Sequence, residues 1–269
     1  MIKLGYAETD ITPNTPLQLV GFNRTDNTSR GVLKPLLAQV SIWESEDRHC
    51  LITIDSIGFK KELSDILRIK VCNILKVPCD KVMLCFSHCH SAPNVDESKE
   101  YFEMVCSNIL MAVHRAETDM HPVLVGWDNV EVDIGVNRRT DNTNVDKRAG
   151  IVRVCGLNKE EKLLLVRVTA HCNVLKRDNY FISPDYFGSI RELLQEKYGC
   201  PIMVIQGSAG NIAPKYFNSA ETPIDASGAQ YRRSSTALED MATIVWEKLS
   251  QRIALIEVTD ALTIDMYSR

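Results

Sequence analysis

Short apolar runs rich in β-branched residues alternate along this chain with longer stripes of helical period, and that alternation restricts it to a layered α/β fold. Strand-like runs lie near 2–8, 36–44, 49–56, 81–87, 122–132, 150–156, 162–171 and 201–206, each set off by turn-forming residues. Lys61 to Leu75 carries Leu63, Ile66, Leu67, Ile69, Val71 and Ile74 at i, i+3, i+4 spacing, which predicts a helix with one buried side. Similar stripes run through 98–116, 185–198 and 235–252, and Ser183-Pro184 ahead of the second of these offers an N-cap hydroxyl followed by a first-turn proline. Neighbouring runs at 36–56 and 150–171 predict hairpins, so the sheet is expected to be mixed, with helices layered on it. A chain of 269 residues with no internal repeat reads as a single α/β domain over 1–269.

Composition narrows the function classes. A net charge of −4 and a pI near 5.9 give no electrostatic footprint for nucleic acid, and no Lys/Arg run supplies one locally. The opening Met1-Ile2-Lys3-Leu4-Gly5-Tyr6-Ala7-Glu8 lacks the apolar core of a signal peptide, and no stretch is long enough to span a bilayer. The expectation is a cytoplasmic protein. Nine cysteines, scattered through apolar runs rather than paired as C-x-x-C, suit a reducing compartment in which Cys acts as a small buried hydrophobe. Whether the chain forms a homo-oligomer is left open.

The chemistry gathers at histidines. Ser87-His88-Cys89-His90-Ser91-Ala92-Pro93 follows the apolar run Val82-Met83-Leu84-Cys85-Phe86. On extended backbone His88 and His90 point one way and Cys89 the other. Two imidazoles side by side repel when protonated, so a shared cation is the favourable arrangement near neutral pH. His171 closes the run Leu163 to Ala170 and so lies at another strand end, where α/β sheets collect ligands. Three such His are the starting set for a catalytic zinc, with a position left for water or substrate. His49, His114 and His121 read as structural or solvated. Cys89 and Cys172 each follow a proposed ligand but are turned away by strand alternation.

Ordered motifs add a resemblance. Asp10-Ile11-Thr12-Pro13, Gly21-Phe22, Arg30-Gly31-Val32, Pro35-Leu36 and Ile54-Asp55-Ser56-Ile57-Gly58 precede the His88 motif. Gly135-Val136-Asn137-Arg138-Arg139, the His171 strand, Ile182-Ser183-Pro184-Asp185-Tyr186-Phe187-Gly188 and Gln206-Gly207-Ser208-Ala209-Gly210-Asn211-Ile212-Ala213-Pro214 follow it. In this order and spacing the chain resembles the neutral/alkaline, non-lysosomal ceramidase family, in its N-terminal catalytic region and its shorter bacterial members. The resemblance implies a zinc hydrolase that cleaves the amide of an N-acylated amphiphile, with His88, His90 and His171 as ligands. Two departures stand out. The family's Gly-Asp-x-Ser-Pro element, whose Ser lies beside the zinc, reads Gly210-Asn211-Ile212-Ala213-Pro214 here, and alanine offers no nucleophile, acid or base. Longer members also draw a Glu and a Tyr ligand from further sequence, and no motif in this chain matches either. Water, or a carboxylate from Asp185, Asp55 or Asp10, is then expected to complete the site.

Other matched positions carry two readings each. Asp10 and Asp55 cap turns or serve the site. Arg138, after Asn137, holds a substrate oxygen or pairs with Asp141 on the surface. Gly207, Gly210 and Asn211 aim backbone N–H groups at a developing oxyanion, or simply form a tight corner. Arg24 and Arg30 steer an anionic substrate or are solvated. Asp185, opening a helix soon after the His171 strand, is taken as general base or acid, with Asn211 as its catalytic companion. Three-His zinc chemistry needs no side-chain nucleophile, because the ion activates water and polarises the carbonyl. The expected substrate is a small or lipid-like N-acyl compound, sphingolipid-like or more polar. The competing reading is a binding protein that holds metal and a small anion without turnover.

Overall fold

The computed structural model describes all residues except 140, 142, 222–230 and 268–269. In chain order its elements are β1 (Ile2–Asp10), β2 (Gly31–Val32), β3 (Leu37–Glu44), β4 (Arg48–Ile54), α1 (Lys61–Leu75), β5 (Val82–Phe86), α2 (Lys99–Thr118), β6 (His121–Glu131), β7 (Gly135–Asn137), β8 (Arg148–Cys155), β9 (Glu161–Val168), β10 (Phe181–Ile182), α3 (Asp185–Tyr198), β11 (Ile202–Gln206), β12 (Ile212–Pro214), β13 (Tyr216–Phe217), β14 (Arg232–Arg233) and α4 (Ala237–Ile253). The main sheet has eight strands in the order β11-β9-β8-β6-β1-β3-β4-β5. It is mixed, as expected: β4 with β5 and β11 with β9 are parallel, and the pairs between them are antiparallel. The two predicted hairpins are β3–β4 and β8–β9. No helix among the described residues is long and apolar enough to cross a membrane.

The sheet curls until its ends meet. β11 lies close to β4 and β5, and Gln39 Nε2 on β3 donates to Ile202 O on β11 at 2.8 Å. One face therefore packs on itself: Trp43 and Leu51 share a cluster with Leu163, Leu165 and Met203 from the opposite end. The other face sends alternate residues, among them Val40, Ile52, Val166 and Val204, into a larger core with Leu67 of α1, Ile109 of α2, Ile190 of α3 and Val245 of α4. Gly5 is needed where α2 crosses β1, because a Cβ there would lie 1.9 Å from Ala116 O.

This closure decides where chemistry can sit. The loops that follow β4, β5, β9 and β11 are laced together: Ser87 N–H donates to Ile54 O, Cys89 N–H to Ser56 O, His90 N–H to Cys172 O and Gly207 N–H to Val168 O. That junction is the carboxyl-end crevice in which α/β sheets hold ligands. β5 stops at Phe86 and β9 at Val168, so His88 and His171 stand in loops rather than at the ends of extended strands. His88 adopts φ 58°, a left-handed conformation, and the strand-alternation argument for the His88–His90 pair fails locally. The chain turns there because the loops, not the sheet, supply its hydrogen bonds.

The cysteines depart from expectation at one place. Cys72, in the last turn of α1, is disulfide-bonded to Cys79 in the short 3-10 turn before β5. The other seven are free and are buried or half-buried, as small hydrophobes are. The loops expected at 138–148 and 215–233 lie partly outside the described residues. Within the second, Tyr216 and Phe217 pair with Arg232 and Arg233.

Candidate metal centre

Backbone carbonyls set the orientation of two imidazoles. His88 Nδ1 lies 2.8 Å from Ile57 O and His171 Nδ1 lies 3.0 Å from Ala209 O. A carbonyl oxygen only accepts, so each Nδ1 carries its proton and each Nε2 presents a lone pair. His171 Nε2 faces His90 Nε2 at 3.1 Å, and the three side chains offer ligand atoms all within 4.8 Å of one another. Two nitrogens held about 2.0–2.1 Å from a tetrahedral ion lie roughly 3.3 Å apart. The donor set therefore fits a small cation such as zinc.

Burial keeps His90 and His171 neutral. It is the main cause that pushes His90 down to about 3, helped by the neighbouring His171 and His88. His171 is lowered in the same way, burial first, with His88, Arg138 and Lys176 adding to it against the Ala209 hydrogen bond. Neutral imidazole is the form that binds metal. Gly21 and Phe22 close the His90 side. The Phe22 ring centroid lies 4.9 Å from that of His90, and a Cβ at Gly21, whose φ is +99°, would lie 2.4 Å from His90 Nδ1. Sequence reasoning assigned no role to this pair; its available signal was a glycine next to an aromatic in a matched motif.

The carboxylates proposed for the site are engaged elsewhere. Asp185 is fully buried, and its oxygens accept the N–H groups of Val174, Leu175 and Tyr186 at 3.0, 2.9 and 2.8 Å. Burial raises its pKa while those three hydrogen bonds oppose the rise. It clamps the segment after His171 onto the start of α3, and among the described residues it is not part of the three-His ligand group. Ser183 Oγ accepts Asp185 N–H at 3.0 Å, but α3 starts at Asp185, so Pro184 rather than Ser183 stands at the N-cap and no side chain caps the helix. Asp55 is ion-paired with Arg191 at 2.5 Å and accepts Leu37 N–H, and Asp10 accepts Thr12 N–H. Cys89 donates to Ser183 O, and Cys172 to Pro184 O. Burial, with Cys89 adding to it, holds the Cys172 thiol well above its ordinary range, which disfavours a thiolate nucleophile.

The remaining predicted residues form the wall behind His171. β12 pairs with β7, Ile212 opposite Asn137, and Ile212 O accepts His171 N–H at 2.8 Å. Arg138 N–H donates to Asn211 O, and Arg138 Nη2 to Gly210 O at 2.7 Å. Asn137 serves its own loop, donating to Asn144 O and accepting Arg139 N–H. The Gly207, Ala209 and Ile212 N–H groups are used by Val168 O, Gly207 O and Ala209 O, so Gly207 follows the tight-corner reading. A Cβ at Gly207 would lie 2.3 Å from Thr169 Oγ1, whereas Gly210 has open space around it. Ala213 is buried in β12.

No protein-family model matches the sequence. Among the solved structures that share the fold are the following two. Neutral ceramidase from Pseudomonas aeruginosa superposes with a TM-score of 0.77 at 17% identity, over 93% of this chain and 44% of that one. A structure described as ceramidase complexed with C2 gives a TM-score of 0.77 and 17% identity, over 93% and 43%. The chain thus has the fold implied by its ordered motifs and spans less than half the length of either structure.

Proposed function

We propose that this chain is a zinc-dependent hydrolase that cleaves the amide bond of an N-acyl substrate. The observation that carries the reading is the convergence of His88, His90 and His171, with the Nε2 atoms of His90 and His171 at 3.1 Å. These three would hold the ion. When bound, a divalent ion there supplies a Lewis acid for the carbonyl and a water acidified toward neutrality. Around it, the chain's own residues orient the reactants. Arg138, anchored on Gly210 O, reaches a substrate oxygen from the His171 side, while Gly210 and Asn211 leave room beside it. Phe22 and Gly21 exclude water from the His90 side. Asp185 acts as a positioning residue, through the segment that follows His171.

The two structures described above are ceramidases by name. That supports an amide of a lipid-like or more polar acyl compound as the substrate class. Seven free cysteines favour a reducing compartment such as the cytoplasm, while the Cys72–Cys79 disulfide counts the other way. The second reading, binding without turnover, rests on Ala213 at the position where the family motif carries Ser. Hydrolysis of N-acyl amides by the zinc-loaded protein, abolished by EDTA and restored by zinc, is the expected result. Stoichiometric zinc with no turnover across amides and esters would establish the second reading instead.

A further inference from the structure

Of the nine cysteines, the two that are joined stand apart in their surroundings. Seven are free thiols, buried or half-buried, whereas the Cys72–Cys79 bond runs from a buried helix residue to an exposed one. An open cleft of about 500 Å³ borders it, walled by Leu75 to Pro78, inside the loop that the bond closes, and by the turn from Glu44 to Arg48. The 3-10 turn Cys79–Lys81 makes local hydrogen bonds, Lys81 N–H to Pro78 O and Val82 N–H to Cys79 O. The disulfide, with Arg68 Nε donating to Val82 O at 3.2 Å, ties that turn to α1. Lys81 closes the turn and holds a second segment. It is buried, and its Nζ meets Asp265 at 3.0 Å and Asp47 at 3.2 Å, with the Tyr267 ring centroid 4.2 Å away. The chain after α4 is otherwise held to the sheet at few points. Thr259 pairs with Val125, residues 260–263 are exposed, and beyond them Ser45 Oγ donates to Ile264 O at 3.2 Å. His49 Nδ1 lies 3.2 Å from Met266 O, and His49 Nε2 lies 3.5 Å from Asp265. Ile264 and Met266 pack there against the apolar cluster that holds Trp43 and Leu51. A segment with so few buried contacts opens locally at small cost.

We propose that Cys72–Cys79 is a reversible latch: reduction by a small thiol of the glutathione type frees the Cys79–Lys81 turn from α1, and with Lys81 it releases residues 264–267 from the sheet. A compartment that keeps seven thiols reduced also presents thiols to an exposed disulfide. A thiolate attacks the sulfur of Cys79, the S–S bond breaks, and its electron pair leaves on the sulfur of Cys72, which takes up a proton. A second thiolate attacks the outer sulfur of the mixed disulfide and frees Cys79, which is protonated in turn. Two small thiols are thereby oxidised to one disulfide while the protein gains two electrons and two protons, and the small-molecule disulfide re-forms the bond by the reverse steps. Cys79 and Lys81 share one short turn, so loosening at the sulfur reaches the Lys81 Nζ and through it both Asp265 and Tyr267. Release uncovers the edge of the cluster around Trp43 and Leu51, which makes the cover of this strand face respond to redox state.

Hydrogen–deuterium exchange of the full chain, equilibrated in excess reduced or oxidised glutathione, reads the latch, with alkylation and mass mapping of Cys72 and Cys79 to record the state of the bond. Opening the loop is expected to speed exchange by about tenfold or more at 73–82 and at 264–267 in the reduced form, while α2 is unchanged. Cys72→Ser should show the fast exchange even in oxidised glutathione. Lys81→Met should release 264–267 with the bond intact and 73–80 still protected. A bond that stays closed in excess reduced glutathione, or one that never forms in oxidised glutathione, would overturn the latch. Equal exchange at 264–267 in the two states, or protection of 264–267 in Lys81→Met, would overturn the coupling through Lys81. The comparison on the unsubstituted chain decides the first of these even where a variant fails to fold.

Discussion

A methyl group at position 21 is the smallest change that should disturb the metal centre. It would meet His90 Nδ1 at 2.4 Å on a backbone with φ +99°, conditions that no side chain relieves without moving the imidazole. Gly21→Ala is expected to cost roughly 2–4 kcal/mol from strain and overpacking together and to weaken zinc binding, read by thermal melts and zinc titration. Full zinc affinity in the variant would show that Gly21 does not position His90. The metal-free protein also carries a pH signature. His90 is pushed down to about 3, whereas the same ring in the unfolded chain protonates near about 6.5. Below that value the unfolded state binds more protons than the native state. Stability is therefore intact above about pH 6.5 and falls by up to about 1.4 kcal/mol per pH unit as acid is added, until the native ring protonates too. Urea melts of the EDTA-treated protein at pH 7.5 and 5.0 test this, and His90→Gln should reduce the slope. A slope unchanged by that substitution would assign the loss to other groups.

At the scale of elements, α3 and the segment after His171 are coupled through one buried carboxylate. Asp185→Asn keeps one acceptor oxygen but removes the charge that three backbone N–H groups share. Charge-assisted hydrogen bonds contribute about 1.5–3 kcal/mol each, so a destabilisation of several kcal/mol is expected. Residual activity should keep the wild-type pH profile, since a positioning residue does not set it; loss of one limb of that profile would restore Asp185 as the base. The sequence disclosed most of the elements themselves, because strand and helix runs such as Leu163–Val168 and Lys61–Leu75 depend on local period. It also disclosed the three imidazoles, since each follows an apolar run. The backbone hydrogen bonds of Asp185 were hidden because its partners Val174 and Leu175 are eleven and ten residues away and contribute only N–H groups. His88 in a left-handed turn was hidden for the same reason: the loops after β4 and β5, not local propensity, dictate its conformation. The Cys72–Cys79 bond is set by the corner between α1 and β5, which periodicity does not describe.

Over the whole molecule, the curl of the sheet brings the His88–His90 loop and the His171 loop together from strands at opposite ends of its order. The Asp55–Arg191 pair joins the end of β4 to α3 across that closure. Breaking a buried pair by removing one partner costs about 3–5 kcal/mol. Asp55→Asn is therefore expected to lower the unfolding free energy from urea melts by that amount, while Asp55→Leu with Arg191→Met recovers part of it; additive losses in the double variant would show that the two do not act as a pair. The three His stand in loops beyond β5 and β9, so the packing of the sheet and helices is expected to survive loss of the metal. EDTA should leave a folded protein with a lower melting temperature, and zinc at a hundredfold excess over Kd should return about 2.7 kcal/mol. Unfolding on chelation would instead make the ion a structural one.

The most direct measurement is the zinc content of the purified, dialysed protein by elemental mass spectrometry, set beside His88→Ala and His171→Ala shown to be folded by circular dichroism. One zinc per wild-type chain and little in either variant is the result predicted by three imidazoles converging on one ion. Sub-stoichiometric zinc in the wild type at pH 7.5, or zinc retained equally by both variants, would contradict it.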